Sequence, residues 1–188
     1  MNGRRPSRTL RRLVMAGGAA LALTTGCTTA GAEPGYVFYY HAFGDWTVIC
    51  ALDEPTGRKD CRLGAPDPSA TGTAAGADVT VDIVDAPDGE TAVVLRIRGA
   101  VETGRPALLK ADGGARHQAA LTRTGEAVWR GAEARTIVDE MVAGQAVSIR
   151  FIRQGELKET ERRFSLVGFA LARQTYRQRL AAIAAESR

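Results

Sequence analysis

Chemistry in this chain would have to be built from Cys50 and Cys61, from the histidines His41 and His117, and from the acids Asp78, Asp82, Asp85 and Asp88. Cys50 and Cys61 are separated by ten residues, a spacing that suits a disulfide between adjacent strands or across a hairpin. A redox or zinc pair would want C-x-x-C or nearby histidines, and neither is present. The two histidines lack carboxylates at metal-ligand spacing, so a structural or surface role is expected for both. Asp78 and Asp82 would share a strand face, but the stretch lacks the ligand-dense loop and closing glutamate of a calcium site. A solvated strand face is the expectation there. Ser69, Ser148, Ser165 and Ser187 lie in no nucleophile elbow, and the glycine clusters do not sit between a strand and a helix as a phosphate loop requires. No catalytic residue, metal or cofactor is expected. A hydrolase would need His41 or His117 within hydrogen-bond reach of an acid and a nucleophile in one cleft.

The aromatic residues are distributed unevenly. Tyr36, Phe38, Tyr39, Tyr40, Phe43 and Trp46 fall within eleven positions and make up six of the eleven aromatics in the chain. Trp46 is expected in the core beside the cysteine pair, with Trp129 as a second anchor. Tyr36, Phe38, Tyr39 and Tyr40 either seed the same core or form an exposed strip for a partner, because contiguous apolar surface marks binding.

The first 32 residues have the layout of a secretory leader. Met1–Arg12 carries five arginines and no acid, Leu13–Leu23 is apolar, and small residues follow to Ala32. An apolar run of about eleven residues reaches only about 16 Å as a helix, short of the roughly 30 Å hydrocarbon core. Two processing sites stand side by side. Ala30-Gly31-Ala32 before Glu33 would release a soluble protein. Leu23-Thr24-Thr25-Gly26-Cys27 resembles a lipobox, which would place lipid on Cys27, although Thr24 stands where a bulky aliphatic is usual. Arg11-Arg12 followed by Leu13, Val14 and Met15 loosely resembles a twin-arginine export signal.

Removing the leader changes the charge argument. The whole chain carries +4, from 25 basic and 21 acidic side chains. Taking away the five leader arginines leaves 20 basic against 21 acidic residues, a net −1. A nearly neutral domain has no bulk electrostatic attraction to nucleic acid or anionic lipid. Export also places Cys50 and Cys61 in an oxidising compartment, where the bridge is worth about 2–3 kcal/mol.

Residues 33–188 are long enough for one domain. Its expected elements are mostly short strands. Tyr36–Tyr40, Trp46–Cys50 and Asp60–Leu63 read as strands, with a turn over Asp53–Arg58 and a flexible loop over Gly64–Ala77. Val79–Val84 and Thr91–Ile97 form the clearest hairpin, joined by Pro87-Asp88-Gly89, with one face expected wet. Weaker strands occupy 105–130. Glu133–Ala143 reads as a helix with Ile137, Val138, Met141 and Val142 on its apolar side and Gly144 as its stop. A strand follows over Ala146–Ile152, then a polar connector from Arg153 to Arg163. A longer helix is expected over Ser165–Glu186, capped by Ser165, with Leu166, Phe169, Leu171, Tyr176, Leu180 and Ile183 in its stripe and Arg173, Arg177 and Arg179 on its polar side. The fold class is mainly β: an antiparallel, sandwich-like domain with one short and one longer C-terminal helix.

Two blocks carry a family resemblance. Phe43-Gly44-Asp45-Trp46-x-Val48-x-Cys50, with Cys61 shortly after, and Phe164-Ser165-Leu166-x-Gly168-Phe169 resemble the invasion-associated locus B family of exported proteins. The similarity spans roughly residues 38–172. Family members usually hold a second cysteine pair, and the corresponding stretch here, about Ala120–Gly131, has none. The resemblance implies a periplasmic or surface β-sandwich-like domain linked in some pathogens to host-cell entry, and it transfers no catalytic residue. The functional expectation is a non-enzymatic envelope protein that either binds another envelope or host protein, through Tyr36–Phe43 and the C-terminal helix, or supports the cell envelope. It would bind no nucleic acid and would touch a membrane only through lipid on Cys27. The alternative is a periplasmic inhibitor or small-ligand carrier with a pocket between its sheets.

Overall fold

The computed structural model describes residues 36–66, 78–86 and 89–186. The leader, Cys27, most of the Gly64–Ala77 loop, and Pro87 and Asp88 lie outside the described residues. The body of the chain is built from two antiparallel sheets and two helices. β1 (Tyr36–Phe43), β2 (Trp46–Asp53), β3 (Arg58–Pro66), β4 (Val79–Asp85) and β5 (Thr91–Ile97) form a meander, and β8 (Glu126–Arg130) closes a six-stranded sheet ordered β1-β2-β3-β4-β5-β8. β6 (Pro106–Ala111), β7 (His117–Ala120), β9 (Ala146–Phe151) and β10 (Thr160–Ser165) form the second sheet, ordered β10-β9-β6-β7. Helix α1 spans Gly131–Ala143 and α2 spans Phe169–Glu186.

The strand alternation read from sequence decides which face is buried. Trp46, Val48 and Cys50 on β2 share a side with Cys61 and Leu63 on β3. Ile83 and Val93 continue that face across β4 and β5, and all six of these β2, β3, β4 and β5 side chains beyond Cys61 are essentially inaccessible. Ile149, Phe151 and Phe164 of the second sheet, Ile137 and Met141 of α1, and Phe169 and Tyr176 of α2 join the same cluster. One continuous core therefore draws on both sheets and both helices.

Several expectations need correction. Arg153–Arg163 is not all connector, because Thr160–Ser165 pairs with β9 along its whole length. Glu161 and Arg163 point outward from this edge strand while Phe164 is buried, so charges that read as a loop belong to a strand with one wet side. Ser165 ends that strand and does not cap α2, which begins at Phe169. Its hydroxyl instead accepts from the Val167 N–H at 3.1 Å. Val142 and Leu171, expected on apolar stripes, are about half exposed. The β5 strand has no fully wet face, since Ala92 and Val94 are buried as well as Val93 and Leu95. The 64–77 loop starts later than expected, because Gly64, Ala65 and Pro66 extend β3 against β4.

Asp82 also departs from the solvated strand face. It is buried, ion-paired with Arg96, and opposite Gly64, over which its carboxylate lies so closely that a side chain at 64 would collide with it. Burial pushes the Asp82 carboxyl above its ordinary range, while Arg96 and Arg62 pull it part of the way back.

Candidate functional site

The residues of the two motif blocks meet in space. Gly44 and Asp45 form the two-residue loop that joins β1 to β2, with Phe43 opposite Trp46. Gly44 has φ +62° and Gly168 has φ +85°, conformations that side chains with a Cβ rarely adopt. The two glycines also touch each other's segments. A Cβ on Gly44 would run into the Val167 carbonyl, and one on Gly168 would run into the carbonyl of Phe43. Trp46 completes this clasp. Its indole N–H donates to the Ser165 carbonyl at 2.8 Å, and its ring meets Phe169 edge-on at 4.6 Å. Val48, Leu166 and Phe169 are buried beneath it, and Asp45 is exposed. These motif residues hold the β1–β2 turn against the junction of β10 and α2.

Beside the clasp lies the disulfide. Cys50 and Cys61 are bonded directly across β2 and β3, both buried, and Tyr39 of β1 stands opposite Cys50. The covalent link therefore fixes the register of the strand on which β1 rests.

β1 is the edge of the six-stranded sheet. Its aromatic residues divide between the two alternatives left open by sequence. Tyr36 (64 %), Tyr40 (62 %) and Phe38 (39 %) are exposed. Tyr39 is partly buried against the core, with the Arg179 guanidinium of α2 stacked 3.8 Å from its ring centre. The pairing with β2 slips between Val37 and Tyr39, so Phe38 occupies a bulge. Lys59 lies 5.7 Å from the Phe38 ring and binds Glu186 near the end of α2 at 2.5 Å. Tyr39, His41 and Phe43 run as a ladder along the α2 side, with ring centres 6.5 and 4.5 Å apart. The resulting surface is an eight-residue edge strand with exposed aromatics, flanked by cations from β3 and α2. It can accept an added strand along its backbone and stack side chains on its rings.

Two polar groups missed by sequence spacing are assembled elsewhere. His117 is buried on β7, with Nε2 3.0 Å from Glu140 and Nδ1 3.5 Å from Glu133, both on α1. The Ala115 N–H also donates to Glu140, at 3.1 Å. Both imidazole nitrogens thus face carboxylates that tie α1 to β7. The residues concerned are 16 and 23 positions apart, which hid the pairing from a local reading. Arg173, expected on the wet side of α2, is largely buried and donates to both oxygens of Asp85 at 2.8 and 3.5 Å. The Asp85 N–H donates to the Tyr176 hydroxyl at 2.7 Å, and burial raises the Tyr176 phenol to about 12. Among the described residues, no group of three or more histidine, cysteine or acidic side chains is placed to hold a metal ion.

A recess of about 410 Å³ opens between α1, α2 and the β4–β5 turn, with Val138 and Val142 on one wall and Arg173 and Arg177 on the other. A second, of about 240 Å³, lies on the outer face of the four-stranded sheet. Neither is between the sheets, where the carrier reading had expected a pocket. No helix among the described residues is long and apolar enough to cross a membrane.

No family model matches the chain, and no curated protein sequence matches it. Among solved structures, the crystal structure of invasion associated protein B from Bartonella henselae is similar, with a TM-score of 0.56 and 19 % identity. The match covers 79 % of this chain and 98 % of that one. At this identity the likeness establishes a shared fold.

Proposed function

We propose that this chain is an exported, non-enzymatic cell-envelope protein whose folded part binds another protein through the β1 edge. The partner, an envelope or host protein, would present an extended segment that adds to β1 and packs on Tyr36, Phe38 and Tyr40. The observation that carries this reading is the exposure of those three aromatics on a sheet edge, when a self-contained domain normally covers or charges such an edge. Support for export comes from the leader-like first 32 residues and from a bridge between Cys50 and Cys61, as expected of an oxidising compartment. A periplasmic or surface location is part of this reading, with any lipid anchor carried on Cys27. Nucleic acid is not a partner in this reading, and no cofactor is needed.

A photo-crosslinking residue placed at Tyr40 tests the proposal in intact cells. The expected result is a crosslink to one partner protein, suppressed by excess purified mature protein, with none from the same group at the fully exposed Leu157. Equal crosslinking at both positions, or none at Tyr40, would remove β1 as the binding edge. The recess between α1 and α2 favours a second reading, a carrier of a small ligand. That reading predicts a ligand copurifying with wild-type protein and lost on Val142→Arg, at a half-exposed position on the recess wall.

A further inference from the structure

The outer face of the four-stranded sheet has a charge pattern that stability alone does not account for. Cross-strand pairing puts Ser148 of β9 directly between Lys110 of β6 and Arg163 of β10. Arg150 stands on the same face, two residues along β9, and Arg116 lines the same recess from the turn before β7. Two acids accompany these four cations, and both are already engaged. Arg150 binds Glu161 at 3.2 Å and Arg163 binds Asp112 at 3.0 Å. Lys110 and Arg116 have no acidic partner among the described residues. The face thus holds two surplus positive charges in a domain that is close to neutral after Ala32. Like charges on neighbouring strands repel and lower stability, so an anion is the missing complement.

We propose that this recess of about 240 Å³ binds a phosphomonoester group. Such a group carries close to two negative charges at neutral pH, which matches the local surplus. Its tetrahedral oxygens can take donors from Lys110 and Arg116 at the rim and from the half-buried Ser148 hydroxyl at the floor. Leu108 supplies a small apolar wall for whatever the phosphate is attached to. The site is on the opposite sheet from β1, so it operates independently of partner binding at that edge.

The test uses the mature, disulfide-bonded protein and two probes: inorganic phosphate in solution, followed by calorimetry, and phosphatidylcholine vesicles with or without phosphatidic acid, followed by cosedimentation. Binding of inorganic phosphate identifies a soluble ester as the ligand, and binding of phosphatidic acid vesicles alone identifies a lipid headgroup. Either supports the site if Lys110→Gln/Arg116→Gln weakens binding by roughly tenfold or more while Arg123→Gln/Arg135→Gln, an equal loss of charge elsewhere, leaves it intact. Should the first double variant melt early, Ser148→Ala replaces it, with a smaller loss expected. The proposal is overturned if neither probe binds, if the site variants bind like wild type, or if both double variants lose affinity equally.

Discussion

The indole N–H of Trp46 donates to the carbonyl oxygen of Ser165 across 119 residues of sequence. This bond joins the two short blocks on which the family resemblance rested, and the close contact of Gly44 with Val167 and of Gly168 with Phe43 lies beside it. The blocks therefore mark the point where the first hairpin is fastened to the start of the last helix. They are structural residues, and their pattern follows from what fits there.

Gly168→Ala is expected to cost more than Gly57→Ala. Both glycines have positive φ, but a Cβ on Gly57 meets nothing within 4 Å, while one on Gly168 meets the Phe43 backbone. Gly57→Ala should lose about 1 kcal/mol from backbone strain, and Gly168→Ala about 2–4 kcal/mol once the displaced turn is included. Urea midpoints at constant slope would measure the difference. Equal losses would mean that the clasp is not tight.

Removing the bridge with Cys50→Ala/Cys61→Ala should lower stability by about 2–3 kcal/mol. Reducing agent should bring the wild type down towards the variant and leave the variant unchanged. No response of the wild type to reduction would show that the bridge is not formed in the isolated protein.

Asp82 links stability to pH. The folded state holds its proton more tightly than the unfolded chain, because burial disfavours the carboxylate more than Arg96 and Arg62 favour it. The contribution is then fully present below about pH 4 and lost as pH rises through the raised folded value. Asp82→Asn should remove this dependence, so wild type should lose stability relative to the variant across that window. A gap between the two that stays constant with pH would contradict the assignment.

Tyr176 acts at the other end of the scale. Its phenol titrates at about 12 in the folded state, so its contribution fades as pH climbs from about 10 to that value. Tyr176→Phe should flatten this decline and, by leaving the Asp85 N–H without its acceptor, cost about 1–3 kcal/mol at neutral pH. Thermal melts of both proteins between pH 7 and pH 11 would check both effects.

Tyr36→Ser/Tyr40→Ser should change stability by no more than about 0.5 kcal/mol, because both rings are mostly in water. Trp46→Ala, by contrast, should cost about 3–5 kcal/mol. If the tyrosine pair proved as costly as the tryptophan, β1 would be part of the core and not a surface for a partner.

What could be read from sequence was what is local. The Val79–Val84 and Thr91–Ile97 hairpin, the Asp53–Arg58 turn and the Cys50–Cys61 spacing all depend on near neighbours, and the fold contains each of them, although burial on β5 does not alternate. The strand β10 was hidden because its edge position lets Glu161 and Arg163 face water, so its composition resembled a connector. Sequence spacing hides the partners of Asp82, His117 and Arg173 because Arg96, Glu140 and Asp85 are 14, 23 and 88 positions away. The β1 aromatics were undecided for a related reason. Which rings are covered depends on α2, whose Arg179 reaches Tyr39 but not Tyr36 or Tyr40.

Export and oxidation are most directly tested by intact-mass spectrometry of the native protein from fractionated cells. The expected species is found in the envelope fraction, begins at a lipid-modified Cys27 or at Glu33, and is two hydrogens lighter than the reduced form. An unprocessed chain beginning at Met1, recovered from the cytosol with Cys50 and Cys61 both open to alkylation, would contradict it.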